Sequence, residues 1–246
     1  MSARPAVPAT GLDRRTIREE IAVVLALSLL ASVVYAVISI LEAPLAGVTT
    51  YSVSQTSSVA RQVTGIVFGV APVWLVVHLA RREGDVRGLL GLAPGWRRDL
   101  VQGVGLFALM GAGGAALYLA AVQVGVNRFV VPAPPPGYWW TVPVLVLSSA
   151  RAALLEEIVV VGYLVTRLRQ IGWDDRRAIG GSALLRAAYH LYQGWGGFLG
   201  NLVLGVVFAA WFTRTRRTWP LVAAHLLLDV AAGAVWLAFR DRLPGF

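Results

Sequence analysis

Long apolar runs recur along this chain of 246 residues and constrain its fold more than any other feature. Several of them reach the ~20 residues that a helix needs to cross the hydrocarbon core of a bilayer. The first run, 21–41, is longer than the apolar part of a signal peptide, so it is typical of a retained span. The sequence therefore predicts an all-α fold: a polytopic helical bundle, integral to the membrane, with about seven transmembrane helices.

The composition supports this class and excludes several others. Hydrophobic residues make up 57% of the chain and charged residues 14%, far from the averages of soluble domains. Cysteine is absent, which excludes disulfides, thiolate catalysis and cysteine metal sites. The net charge is +9, but the arginines flank the apolar runs. They indicate contacts with membrane lipids rather than with nucleic acid, and nothing indicates an oligomeric state.

The chain divides into four regions by composition. A polar tail at 1–20, expected to be disordered before a helix start, precedes a three-span region at 21–124. A connector rich in proline and aromatic residues follows at 125–140, and a core of four spans occupies 141–240. The expected spans are 21–42, 59–80, 100–124, 141–168, 177–193, 197–213 and 219–239.

The distribution of arginine predicts the orientation. The tail, the 81–98 loop, the 167–177 loop and the 214–217 loop hold sixteen of the 22 arginines. With seven spans, these four segments face the same side of the membrane, which the positive-inside rule assigns to the cytoplasm. The other side has Arg128 in a loop, and Arg240 with Arg242 at the C-terminus. We therefore expect a cytoplasmic N-terminus in what is predicted to be a bacterial plasma membrane.

Few ionisable residues remain inside the spans, and they are costly there. The depth of these residues is predicted from the rise of ~1.5 Å per helical residue, counted from the cytoplasmic ends of the spans. They lie in the middle-to-cytoplasmic part of the membrane. Arg186 and His190 are four positions apart, as are His225 and Asp229, so the two residues of each pair share a helix face. The side chains expected to converge on one polar chamber are Glu156, Glu157, Arg186, His190, His225 and Asp229.

Two chemistries fit this set. A carboxylate and histidines can supply a general base and groups that orient water. Alternatively, His190, His225 and Asp229 could ligate Zn²⁺ or another divalent metal, with a glutamate left as the base. Metal-free water activation is equally compatible with these residues, and either arrangement suits amide hydrolysis. Proton relays and structural latches also use acid–histidine and acid–arginine pairs, so a proton-coupled transporter stays an alternative.

The stretches "EEIVVVGYL", "LLRAAYHLYQG" and "LVAAHLLLDV" resemble the three motifs of the CPBP intramembrane proteases. This family includes type II CAAX prenyl endopeptidases and bacteriocin-immunity-type membrane proteins. The resemblance covers about residues 140–235. It implies that Glu156 activates the attacking water and that Glu157 is its neighbour in the site. It also implies that His190, His225 and Asp229 hold water or metal.

The chain departs from the family pattern at two positions. The family arginine falls at Val161, and the family phenylalanine falls at Arg186. A positive charge has thus left span four and appeared in span five, and we expect Arg186 to act as a supporting charge partner of Glu157. The predicted function is a CPBP-type intramembrane (metallo)endopeptidase acting on a peptide or membrane-protein substrate. The alternative is a catalytically inactive relative that acts as a membrane scaffold or immunity protein.

Overall fold

The computed structural model describes residues 5–42, 59–127, 130, 134 and 136–239. Within these ranges the chain is helical apart from turns and one isolated bridge between Asn127 and Gly194. The helical membrane bundle expected from the apolar runs is confirmed. Residues 1–4, Arg128, Arg240, Arg242 and part of the proline-rich connector lie outside the described residues.

The N-terminal half consists of α1 (Arg14–Leu25), a π-helical segment (Ala26–Leu30), α2 (Ala31–Glu42), α3 (Val59–Gly69), α4 (Ala71–Arg82), α5 (Val86–Leu90) and α6 (Trp96–Gln123). The C-terminal half consists of α7 (Thr141–Leu154), a second π-helical segment (Leu155–Tyr163), α8 (Leu164–Gln170), α9 (Asp175–Tyr189), a 3₁₀ turn (Leu191–Gln193), α10 (Trp195–Thr215) and α11 (Trp219–Phe239).

Four described helical stretches are long and apolar enough to cross a membrane: Gln62–Arg82, Trp96–Gln123, Trp195–Thr215 and Trp219–Phe239. A fifth candidate bends by 47° between Arg14–Leu30 and Ser32–Ile38. The bend follows the first π-helical segment directly, and such segments are a recognised cause of helix kinks. The number of seven spans stays a prediction.

The helix expected at 177–193 is shorter than a full span. Helix α9 has 15 residues, about 22 Å in length, against a hydrocarbon core of about 30 Å. It begins after the N-cap Asp174, whose carboxylate accepts a hydrogen bond from the backbone of Arg177. It ends at Tyr189, and Gly194 then turns the chain with a φ of 96°, a conformation that favours glycine. His190 therefore lies at a helix end rather than within a helix.

A buried arginine, Arg167, lies at one end of the bundle. We call Arg167 and the polar side chains linked to it by hydrogen bonds the Arg167 cluster. The Arg167 guanidinium donates to Glu20 Oε2 at 2.9 Å and to both carboxylate oxygens of Glu83. The carbonyl of Pro8 accepts a hydrogen bond from Gln170 at 3.1 Å. The tail was expected to be disordered before a helix start. From Pro8 onward it instead contacts the bundle, because Gln170 at the end of α8 binds its backbone.

Further arginines join loops at this same end. Arg217 binds Asp99 through two hydrogen bonds, with Nε–Oδ1 at 2.6 Å and Nη2–Oδ2 at 2.8 Å. Arg216 donates to the carbonyl of Gly88 at 2.6 Å. Together with the Arg167 cluster, these contacts connect the four arginine-rich segments, which therefore lie at one end of the bundle.

Candidate active site

The glutamate pair lies in the second π-helical segment, Leu155–Tyr163, which continues α7 into α8. A π-helix has i→i+5 hydrogen bonds and more residues per turn than an α-helix, so neighbouring side chains are separated by a smaller angle. Glu156 and Glu157 can therefore reach a common partner although they are adjacent in sequence. Segments of this kind are frequent at functional sites.

Side-chain hydroxyls hold the backbone of this segment in place. Ser182 on α9 donates to the carbonyl of Val160 at 2.8 Å, and Thr166 donates to the carbonyl of Gly162 at 2.7 Å. A Cβ added to Gly162 would lie 2.8 Å from the carbonyl oxygen of Leu90. Glycine thus permits α5 to pack directly on the segment that carries the glutamates.

Arg186 on α9 is the common partner of the two glutamates, and it is only 1% exposed. Its Nη2 lies 2.7 Å from Glu157 Oε1 and 3.1 Å from Glu156 Oε2. The guanidinium lies over the ring of Phe208 on α10, 5.5 Å from the centroid. Glu157 is the partner expected for Arg186 from the sequence. A charge on α9 thus neutralises carboxylates on the neighbouring π-helical segment.

Gly205 on α10 makes room for this arginine. A Cβ at Gly205 would lie 2.8 Å from the Cα of Ala183 and 3.4 Å from Cδ of Arg186. Any larger residue would therefore push α10 away from α9 at the level of the guanidinium. Close packing at a small residue is a general feature of membrane helices.

His225 on α11 extends the cluster from Glu157. Its Nδ1 lies 2.7 Å from Glu157 Oε1, so this nitrogen must donate because the carboxylate oxygen accepts. The 3.0 Å approach of Arg186 Nη2 to the same nitrogen is consequently a contact and not a second hydrogen bond. The opposite ring nitrogen, Nε2, lies 3.5 Å from Asp229 Oδ2. Glu157 is fully buried and fixes the orientation of the imidazole.

Glu156 faces a different set of groups. Its Oε2 accepts a hydrogen bond from the hydroxyl of Tyr189 at 2.9 Å, whereas its Oε1 lies 4.0 Å from His190 Nε2. Nδ1 of His190 lies 3.0 Å from the carbonyl oxygen of Arg186 and must donate to it. In the neutral imidazole, Nε2 therefore carries a lone pair that faces Glu156. A gap of this width between two polar atoms is one that a single water can bridge.

Asp229 is the most accessible member of the predicted set. Its side chain is 40% exposed, against 7% for the side chain of His225 one turn earlier on α11.

The side-chain contacts of the site form one continuous series. It runs from Tyr189 through Glu156, Arg186, Glu157 and His225 to Asp229. We call this set together with His190 the Arg186 cluster.

The predicted metal ligands do not fit a metal ion in this arrangement. Among the described residues, no group of three or more histidine, aspartate or glutamate side chains is arranged to hold one. Nδ1 of His225 donates to Glu157 and is therefore closed to a metal, and the guanidinium of Arg186 beside the same ring adds a fixed positive charge that opposes a second cation. The donors and acceptors of His190, His225 and Asp229 suit the binding of water and protons instead.

Sequence reasoning missed one residue of the cluster, Tyr189. It precedes His190 directly, and adjacent residues of an α-helix do not share a face, so the spacing gave no reason to group them. Because α9 ends at Tyr189, the angle that separates successive side chains of an α-helix does not apply to His190. A tyrosine inside an apolar span, which needs a partner for its hydroxyl, was the signal available in the sequence.

A family model described as type II CAAX prenyl endopeptidase Rce1-like matches residues 138–231. This segment contains the whole Arg186 cluster and ends two residues after Asp229. Over this segment the chain is similar to the type II CAAX prenyl endopeptidases, which confirms the resemblance of its three motifs to those of the CPBP family. No curated protein and no solved structure matches the chain.

Proposed function

We propose that the protein is an intramembrane endopeptidase in which Glu156 activates a water for attack on a peptide bond. The observation that carries this proposal is the 4.0 Å separation of Glu156 Oε1 from His190 Nε2. A water between these atoms can donate one hydrogen bond to each, because both are acceptors when the imidazole is neutral. The matched protease family supports the same reaction type.

The proposed reaction balances with the side chains of the cluster. Glu156 Oε1 takes one proton from the water while the water oxygen forms a bond to the carbonyl carbon of the substrate. The same proton then passes to the departing amine as the C–N bond breaks, and the second water proton stays on the acyl oxygen, which leaves a carboxylic acid and a free amine. Glu156 is suited to this role because, within the described ranges, Oε1 has no closer ion-pair partner than His190.

His225 supplies the second function in this proposal. Glu157 orients its ring from Nδ1, and Asp229 contacts Nε2 only loosely at 3.5 Å. When Nε2 carries a proton, it can turn its hydrogen bond from Asp229 to the carbonyl oxygen on which charge develops. The partial exposure of Asp229 supports the approach of a substrate to this part of the cluster.

The proposed substrate is a peptide or membrane-protein segment that reaches the cluster from the membrane. The matched family description names prenyl endopeptidases, so a prenylated peptide is one probe and the same peptide without the lipid is the other. We propose that the N-terminus faces the cytoplasm of a bacterial cell. The gathering of four arginine-rich segments at one end of the bundle supports this orientation.

The test is cleavage of a peptide library by the purified protein in lipid vesicles, with products identified by mass spectrometry. Parallel arms use prenylated and unprenylated versions of each peptide, and a further arm contains a chelator. Wild-type protein should cleave, and Glu156→Gln should abolish cleavage while the protein still folds, because the amide cannot accept the proton. Cleavage by Glu156→Gln at the wild-type rate would refute the base assignment. A folded wild type that cleaves nothing would favour the inactive scaffold instead.

A further inference from the structure

We propose that Tyr189 is a positioning residue that keeps Glu156 available as a base, an inference that rests on the proposed function. The hydroxyl of Tyr189 donates to Glu156 Oε2 at 2.9 Å. The other carboxylate oxygen, Oε1, is the one that faces His190 Nε2. Tyr189 thereby distinguishes the two oxygens of Glu156, and only one of them is left for the water.

The ring of Tyr189 is held by segments from two other parts of the chain. It is 6% exposed and belongs to one apolar cluster with Leu29 and Val160. Leu29 lies in the first π-helical segment, and Val160 lies in the second, which also carries Glu156. The ring centroid is 4.7 Å from that of His190. A ring packed in this way has little rotational freedom, so its hydroxyl is fixed relative to the carboxylate.

Without this hydroxyl, Arg186 becomes a competitor for Glu156. Its Nη2 is already 3.1 Å from Oε2 of Glu156. Among the described residues, its Nη1 has no hydrogen-bond partner. Arginine and carboxylate prefer a bidentate arrangement with two parallel hydrogen bonds. A small rotation of Glu156 would give that arrangement and would turn Oε1 away from His190 toward the guanidinium.

Tyr189 therefore acts through Glu156 and not on the substrate. The hydroxyl occupies Oε2 with a neutral donor and opposes the rotation that would engage both oxygens with Arg186. This role predicts an effect on turnover and none on substrate binding, because no atom of Tyr189 is required to touch the substrate.

The test compares Tyr189→Phe with Tyr163→Phe. Tyr163 is a matched control because it is also buried and its hydroxyl contacts Glu20 in the Arg167 cluster, at 3.4 Å. Kinetics use the library peptide that the wild type cleaves fastest. Tyr189→Phe should lower kcat about 10-fold or more with KM unchanged, the effect of losing a hydrogen bond to a charged group. Tyr163→Phe should leave both constants unchanged.

A second measurement does not depend on activity. The infrared carboxylate band that Glu156→Gln removes identifies Glu156, and this band should shift in Tyr189→Phe but not in Tyr163→Phe. An unshifted band, an unchanged kcat, or a changed KM with normal kcat would each overturn the positioning role. A folded wild type that cleaves nothing while the band shifts would overturn the proposed function, and the contact would then be structural.

Discussion

Two buried arginines of the described chain, Arg167 and Arg186, have nearly the same surroundings. Each binds two glutamates from other segments, and each has a tyrosine that contacts one of those glutamates. The two clusters differ in their remaining members. The Arg167 cluster adds Thr10 and Gln170, whereas the Arg186 cluster adds two histidines and an aspartate.

The extra groups show what separates a structural ion cluster from a candidate reaction centre. In the Arg167 cluster, both oxygens of Glu83 accept hydrogen bonds from the arginine, and Thr10 adds a further donor at 2.6 Å. In the Arg186 cluster, one oxygen of Glu156 faces an imidazole at 4.0 Å. The first cluster uses both oxygens of Glu83 and Oε2 of Glu20 to join α1, the C-terminal end of α4 and α8. The second leaves a carboxylate oxygen and a histidine nitrogen for chemistry.

The largest expected effect comes from Arg186→Phe, which introduces the residue that the family pattern has at this position. It leaves Glu157 fully buried without its cation. Loss of one partner of a buried ion pair costs about 3–5 kcal/mol. Equilibrium unfolding in mixed detergent micelles should show a loss of this size, and unfolding at the wild-type midpoint would contradict the pairing.

A second substitution, Val161→Arg, tests whether the charge can return to its family position. Val161 is buried in the same apolar cluster as Phe208, over which the guanidinium of Arg186 lies. An arginine from position 161 can therefore enter the region that Arg186→Phe vacates. The double variant should recover stability relative to Arg186→Phe. Val161→Arg alone should be destabilising, since two cations would then share the site, and it serves as the control.

Arg167→Gln should have a smaller effect, about 1–3 kcal/mol, because its partners can reach water. The side chains of Glu20 and Glu83 are 18% and 12% exposed, in contrast to Glu157. The same unfolding assay measures the loss. Peptide cleavage by the folded fraction should be unchanged, and a kcat that falls with this substitution would erase the functional difference between the clusters.

The smallest expected effect is a dependence of stability on pH at the arginine-rich end of the bundle. Partial burial would raise the pKa of the Glu83 carboxyl, but hydrogen bonds from Arg167 and Thr10 outweigh it and lower this pKa below its usual range. A lowered carboxyl pKa contributes stability above the unfolded-state pKa of about 4.3, and the contribution is lost as pH falls through the lower folded-state pKa. Melting temperatures between neutral and acidic pH should therefore fall less in Glu83→Gln than in the wild type. Equal falls would contradict the assignment.

The fold was largely predictable because its spans are apolar runs bounded by arginine and tryptophan. The spans expected at 100–124, 197–213 and 219–239 correspond to Trp96–Gln123, Trp195–Thr215 and Trp219–Phe239. The π-helical segments were not predicted, because the hydroxyls and close packing that hold one of them come from other helices. The docking of Pro8 and Thr10 was missed for the same reason, since their partners are distant in sequence.

The candidate site was predictable where residues four apart share one helix, as His225 and Asp229 do on α11. The pairing of Arg186 with Glu157 followed from the need of a buried cation for a partner. The different contacts of the two Glu156 oxygens, with Oε2 bound by Tyr189 and Oε1 facing His190, could not be predicted. They depend on the end of α9 and on the position of the Tyr189 hydroxyl, which only the folded chain sets.

The most direct measurement of the central claim is the peptide cleavage rate of two matched variants, Glu156→Gln and Glu83→Gln, beside the wild type. Each removes one carboxylate that contacts a buried arginine. Glu156→Gln should lose cleavage completely, whereas Glu83→Gln, once folded, should cleave at the wild-type rate. Equal rates in the two variants, whether both active or both inactive, would contradict the separation of the two clusters into structure and chemistry.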